Sequence, residues 1–306
     1  MSEYPLSAKN TPPNCVDPDF YQAFQEHFRG SFDAIKERLT IYISFISELV
    51  KYYPEIPAVD LGSGRGEWLE LLNEHGIGVY GIEKDNNLRE VAERRGLTVV
   101  HGDALEHIKQ LPEQSRSVIT AFHVVEHMTF EEMYCLVKEA HRVLVPGGML
   151  LMETPNPENI VVGSSKFYLD PTHTKPIPPE MLAFIPKYLG FFRVKIMRLN
   201  ETVSLNKTKH LSILDVLGGV SPDYCVLAQK EADTDLLQKT SFLFQKTYGV
   251  RLEEIAEFYH RQFSKKLNLR NTRLLLYKFI NKLCRLFKNL LSLSKKVIFQ
   301  CKDICR

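Results

Sequence analysis

A chain of 306 residues can bury a full core and holds one large domain, or one domain with appendages; its composition is that of an ordinary globular protein. No apolar run approaches the length needed to span a bilayer, and the start, M-S-E-Y-P-L, does not read as a signal peptide. The net charge of +2 conceals an asymmetry: the tail from Ser264 to Arg306 has twelve Lys or Arg and one acid, Asp303, and so carries +11, while the body before it carries −9.

Residues 1–55 read as an N-terminal arm and helical lid. The arm contains Pro5, Pro12, Pro13 and Pro18. From Asp19 to about Lys51 the pattern is helical, with Phe20, Phe24 and Phe28 on one face and Ile35, Leu39, Tyr42 and Ile46 on a second stretch. Arg29-Gly30-Ser31 separates the two, with Ser31 placed to cap the second helix.

Ile56 to Leu61 is a short apolar run of the kind that forms a buried parallel strand. It leads into Gly62, Gly64 and Gly66, and then into a helix carrying Trp68, Leu69, Leu71 and Leu72. Glycines suit a bend where backbone turns tightly and lies against a ligand. Gly78 to Ile82 reads as a second strand, with Glu83 at its end. Leu97 to Val100 reads as a third, followed by His101-Gly102-Asp103-Ala104, where Asp103 can cap a helix running to Leu111. Asp85 fits a helix-start acid better than Glu83 does.

Ser117 to Phe122 is the fourth strand, and H-V-V-E-H (His123 to His127) follows it. The next helix runs from Phe130 to Leu144, with Pro146-Gly147-Gly148 as its stop. Met149 to Met152 is the fifth strand, and Phe192 to Met197 and Tyr224 to Ala228 are two later ones.

The bend A-V-D-L-G-S-G-R-G differs from the dinucleotide fingerprint G-x-G-x-x-G, because its third glycine comes one residue early and Asp60 precedes the first. It resembles motif I of the class I S-adenosylmethionine (SAM) methyltransferases. Glu83, the G-D-A stretch and the R-V-L-x-P-G-G segment from Arg142 to Gly148 stand in the same register. The resemblance covers roughly residues 56–230. It implies an α/β, Rossmann-like, seven-stranded methyltransferase fold with a helical C-terminal extension from residue 231.

For cofactor binding it implies Asp60, Gly62, Ser63, Gly64, Gly66, Glu83, Asp103, Ala104 and Phe122. Glu83 would take the ribose hydroxyls, Asp103 the adenine amino group, and Arg29 of the lid the SAM carboxylate or an anionic acceptor.

Strand four ends where an acceptor belongs. Amine-methylating relatives often carry D/N-P-P-Y/F there, and its absence argues against methylation of a base nitrogen. His123, His127 and His173 are the candidate catalytic bases. H-V-V-E-H also resembles the E-x-x-E-H of some O-methyltransferases that bind a divalent metal, which makes His123, Glu126 and His127 candidate ligands, with His173 able to add a further one. The loops Glu153 to Gly163, Phe167 to His173 and Val220 to Tyr224 are similar to those of methyltransferases of bacterial surface polysaccharide (O-antigen-type) synthesis.

From Leu276 to Lys296 the helical period is clean. Leu276, Phe279, Ile280, Leu283, Leu286, Phe287, Leu290 and Leu291 cover one face, and Lys278, Lys282, Arg285, Lys288, Lys295 and Lys296 lie opposite. A basic amphipathic helix of this kind suits an anionic membrane surface better than nucleic acid; packing on the domain or on a second subunit is the plainer alternative.

These readings converge on a SAM-dependent O-methyltransferase acting on a glycan or lipid-linked sugar. It would be cytoplasmic, on the inner face of a membrane, with a glycosyltransferase or a second copy as partner. The competing readings are a small-molecule (ubiquinone-pathway-like) or RNA 2′-O-methyltransferase, and a catalytically silent SAM-fold module that docks a glycosyltransferase. The six cysteines are scattered without C-x-x-C pairs, as expected of reduced thiols without a zinc site.

Overall fold

Seven strands form one sheet in the order β3-β2-β1-β4-β5-β7-β6 in the computed structural model, which describes residues 28, 30–201, 210–262, 264, 273–283 and 285. The strands are β1 (Ala58–Leu61), β2 (Val79–Glu83), β3 (Val99–His101), β4 (Arg116–Phe122), β5 (Leu144–Pro155), β6 (Arg193–Leu199) and β7 (Asp223–Gln229). The first five pair in parallel, while β7 runs antiparallel between β5 and β6. The chain winds outward from β1 through β2 to β3, then crosses back to β4. The carboxyl ends of β1 and β4 therefore flank a topological switch point, where α/β sheets open a crevice.

Helices cover both faces. On one lie α5 (Ala104–Gln110), α6 (Phe130–Val143) and α8 (Pro179–Tyr188). They pack Ile108, Met133, Leu136, Val137 and Leu182 against Leu61, Ile119, Leu150 and Val226. On the other lie α1 (Phe32–Leu39), α2 (Ile43–Tyr52), α3 (Glu67–Glu74) and α10 (Thr234–Gln245). Here Tyr42, Phe45, Leu49, Trp68, Leu72 and Leu243 meet Val118, Leu151 and Leu227. The segment expected as a lid thus supplies part of the core: Leu39, Tyr42 and Ile46 of the predicted stripe are buried, Ile35 is partly buried, and Phe45 and Leu49 join them outside that stripe.

The local signals work as their chemistry requires. Ser31 accepts from Ala34 N at the start of α1. Asp85 accepts from Asn87 N and Leu88 N at the start of α4 (Asn86–Arg94), and Asp103 accepts from Leu105 N and Glu106 N at the start of α5. Thr129 and Glu132 form a reciprocal capping box on α6.

One expectation needs correction. Pro146-Gly147-Gly148 does not stop a helix: α6 ends at Val143, and these residues lie inside the long β5. Gly147 is required there because its φ is +75° and a Cβ would come within 2.6 Å of Leu236 Cδ2.

Three short helices escaped the sequence pattern: α7 (Ile160–Ser164), α8 and α9 (Ile213–Gly218). Residues 252–262 are helical, and Ile255 there joins Val216 of α9 and Val250 just ahead of the helix in one apolar cluster. No helix among the described residues is long and apolar enough to cross a membrane.

Candidate active site

The glycine bend after β1 lies at the seam of two cavities that share Phe28, Gly62 and His123. Gly62, Gly64 and Gly66 all have positive φ. A Cβ on Gly62 would sit 2.5 Å from Val124 Cγ2, and one on Gly66 would sit 2.3 Å from Leu97 Cδ1. The bend is therefore closed to any other residue both by conformation and by space.

The smaller cavity, about 250 Å³, is lined by Asp60, Ser63, Trp68, Phe122, Glu153 and Arg38, among others. Asp60 is buried and accepts from Thr120 Oγ1 at 2.6 Å. Tyr42 stacks on Phe122 at 5.0 Å, and Trp68 meets the same ring edge-on at 5.5 Å, which makes an aromatic wall. Ser63 Oγ and Trp68 Nε1 are buried donors without a hydrogen-bond partner, which is costly unless a ligand supplies an acceptor. Arg38, from α1, brings a guanidinium to the same wall. Arg29 lies outside the described residues.

The larger cavity, about 850 Å³, is of a size that suits a nucleoside with an acceptor beside it. Glu83, Asp103, Ala104 and Gly64 line one part. Glu83 Oε2 accepts from Gly64 N at 2.8 Å and its Oε1 from Asp85 N at 2.9 Å. The carboxylate is thereby fixed, and each oxygen keeps a lone pair for a further donor.

His127, Lys166, Thr172 and His173 line the other part. Val125–His127 is a 3-10 turn, and it brings His127 to the loop that holds His173. Thr172 Oγ1 donates to Asp170 Oδ1 at 2.6 Å and lies 2.9 Å from His127 Nδ1. Because the hydroxyl proton is already committed, Nδ1 carries the proton and Nε2 keeps its lone pair. His173 Nδ1 donates to the Phe167 carbonyl at 2.6 Å, which fixes the orientation of that ring. Burial pushes the His127 imidazole below its ordinary value, more than Glu126 raises it, so the ring is neutral near pH 7.

His123 is in a different condition. Its Nδ1 is 3.2 Å from Glu126 Oε1 and its Nε2 is 3.6 Å from Glu153 Oε1. Burial opposes its charge, but the bonds to Glu126 and Glu153 prevail and push it up to about 10. Glu126, fully buried, is held below the usual carboxylate range by the same pair despite its desolvation, and its other oxygen accepts from Thr154 Oγ1 at 3.0 Å. Tyr42 donates to Glu153 from behind. His123 also has φ +56°, a conformation unusual for a non-glycine residue and one found where structure holds a functional turn.

These facts separate the sequence candidates. Both ring nitrogens of His123 face carboxylates, Nδ1 toward Glu126 and Nε2 toward Glu153, so it is less suited than His127 to taking a proton. The set His123, Glu126 and His127 gives way to another: among the described residues, Glu126, His127 and His173 bring ligand atoms within 4.8 Å of one another. Both Glu126 oxygens already accept bonds, one of them from a cation, so the group is better suited to handling a proton than to holding an ion.

Sequence reasoning missed Arg38, Tyr42 and Glu153 as wall residues. A signal existed for Glu153 alone, an acid at the end of β5 beside the end of β4.

Comparison with known proteins matches this geometry. Residues 59–152 match the family model described as a methyltransferase domain. A SAM-dependent methyltransferase of Archaeoglobus fulgidus, solved as a crystal structure, is 33% identical; the similarity covers 69% of this chain and 100% of that one, with a TM-score of 0.61. The chain belongs to the class I SAM-dependent methyltransferases.

An uncharacterized methyltransferase of Oceanobacillus iheyensis is 32% identical over 113 residues, 36% of this chain. A probable SAM-dependent methyltransferase of Mycolicibacterium smegmatis is 30% identical over 137 residues, 44% of this chain. The chain spans about half the length of each of these two curated relatives (51%). The cofactor of the family is SAM, and the glycine bend, the unsatisfied donors and the two joined cavities fit it.

Proposed function

We propose that this methyltransferase transfers a methyl group from SAM to a hydroxyl of a glycan, in a lipid-linked acceptor at the cytoplasmic face of a membrane. The observation that carries the reading is the neutral His127. It has a free Nε2 backed by Thr172 and Asp170, in the same cavity as Glu83 and Asp103.

When bound, SAM supplies a methyl on a sulfonium, which leaves as the carbon–sulfur bond breaks and sulfur keeps the electron pair. Glu83 and Asp103 would hold the ribose and adenine in the large cavity. Asp60 would hold the ammonium and Arg38 the carboxylate in the small one, with the aromatic wall beside the sulfonium. His127 Nε2 would take the proton of the attacking hydroxyl, and the proton already on Nδ1 stays bonded to Thr172, which orients the ring. His173, stacked edge-on to His127 at 4.8 Å, and Lys166 would position the acceptor.

Lys166, Asp170, Thr172 and His173 give that part of the cavity hydrogen-bond partners for a hydroxyl-bearing acceptor. The resemblance of the loops Glu153 to Gly163, Phe167 to His173 and Val220 to Tyr224 to those of polysaccharide methyltransferases supports the same class. The basic amphipathic tail supports attachment to anionic lipid, at roughly 1 kcal/mol for each basic residue near such a surface.

The test is methyl transfer from labelled SAM to isolated glycan, RNA and phenols. Label in glycan supports the reading; label in RNA or phenol alone, or none in glycan, overturns it. Loss of activity with a chelator, restored by metal, would return the Glu126–His127–His173 group to an ion.

A further inference from the structure

The tail is not the whole of the lipid contact. Resting on the reading of the tail as lipid-binding, we propose that the catalytic domain has its own membrane-facing ridge. It is formed by α7 and α9, beside the 3-10 turn Lys166–Leu169 that reaches the larger cavity, and its occupant is an anionic bilayer.

The first observation is apolar exposure. Ile160 and Val161 on α7, Leu169 in the 3-10 turn Lys166–Leu169, and Ile213, Leu214 and Leu217 on α9 are all exposed. On α9 the exposed residues recur at i, i+1 and i+4, which is one helix face, while Val216 turns inward to the cluster with Val250 and Ile255. The same short helix therefore buries one apolar side and presents another. A contiguous exposed apolar surface marks an interaction site.

The second observation is that α7 and α9 are joined. Asn159, the cap of α7, donates to the carbonyls of Gly218 (3.0 Å) and Val220 (2.6 Å). A Cβ on Gly218 would lie 3.2 Å from Val161 Cγ2. The two helices form one unit, and the turn after α7 brings Lys166 and Leu169, followed by Asp170, Thr172 and His173, to the cavity.

The third observation fixes the occupant. Gln262 accepts from Leu211 N at 3.1 Å and bonds His210 at 2.7 Å. The last turn before the basic tail is thus tied to the chain just ahead of α9. The +11 segment that starts at Ser264 is rooted beside the ridge. Residues 273–283 are helical and exposed throughout, with Leu276, Phe279, Ile280 and Leu283 uncovered. The cationic charge of the tail and an exposed apolar face on α9 together complement anionic headgroups over an acyl layer. A lipid-linked acceptor would then meet the cavity at the surface that holds it.

The test uses the full chain with vesicles of phosphatidylglycerol and phosphatidylethanolamine. Leu214 is 72% exposed, so substitution there does not disturb the core. In Leu214→Trp, brominated lipid should quench the new tryptophan, beyond any quenching of the wild type, whose one tryptophan, Trp68, is buried. Ile213→Glu/Leu214→Glu should weaken vesicle binding roughly tenfold with the tail intact.

Vesicle binding with no added quenching and no effect of the double variant would overturn the ridge and leave the tail as the anchor. A dimer that the double variant splits, with lipid binding unchanged, would overturn it in favour of a second copy. Calorimetric titration with SAM on the same proteins reads the methyltransferase site separately, so failure at lipid is not confused with failure at the cofactor.

Discussion

The two cavities meet at Gly62, yet they are made differently. The small one is walled by core: Asp60 on β1, Phe122 on β4, Glu153 on β5 and Trp68 on α3, backed by Tyr42. The acceptor side of the large one is walled by the segment 166–173, an irregular stretch laid over a 3-10 turn. A cofactor that never changes can be held by strand ends whose geometry the sheet dictates. An acceptor that differs among enzymes of one fold is met by loops, which vary without disturbing the core. The two histidines of H-V-V-E-H carry the same contrast: His123 is locked as a cation between carboxylates, and His127 is left neutral with a free nitrogen.

The comparison breaks most sharply at the seam. Gly62→Ala places a methyl against Val124 at a φ of +73°. It should abolish SAM binding by calorimetry; retained affinity would show that the bend is not the cradle.

Next is His127→Ala, which should lower kcat by about 10²–10³-fold and leave SAM affinity unchanged. In the wild type the rate should fall as pH drops through the lowered His127 value, placing the acid limb below 6.5. A limb above that would assign the base elsewhere.

Arg38→Ala should weaken SAM about tenfold or more and S-adenosyl compounds lacking the carboxylate hardly at all. Equal losses for both would remove Arg38 from the carboxylate.

His123 sharpens the contrast through stability. Its folded value is raised above the unfolded one, so its contribution is complete below about pH 6.5 and is lost as pH rises through about 10. The melting temperature should decline over that window, and His123→Asn, which tolerates the left-handed backbone, should flatten the decline.

The smallest effect is Asp103→Ala, which removes the cap of α5 at about 1 kcal/mol by denaturant titration.

The strand–glycine–helix unit, the carboxylates at the ends of β2 and β3 and the caps were legible in the amino-acid order, because each is a local signal. A bend that only glycine can make, an apolar period and a side chain that satisfies a helix end all act within a few residues. The insertion of β7 between β5 and β6 was not legible, because antiparallel pairing depends on a partner about 75 residues away. Nor was the short α7, whose length gives no period to read.

The difference between His123 and His127 was hidden for the same reason. In the sequence they are two equivalent imidazoles four residues apart. Glu153 reaches one through the register of β4 on β5, and Thr172 reaches the other across 45 residues. Proton affinity is set by what lies within a few ångströms in space, and only the folded chain decides what that is.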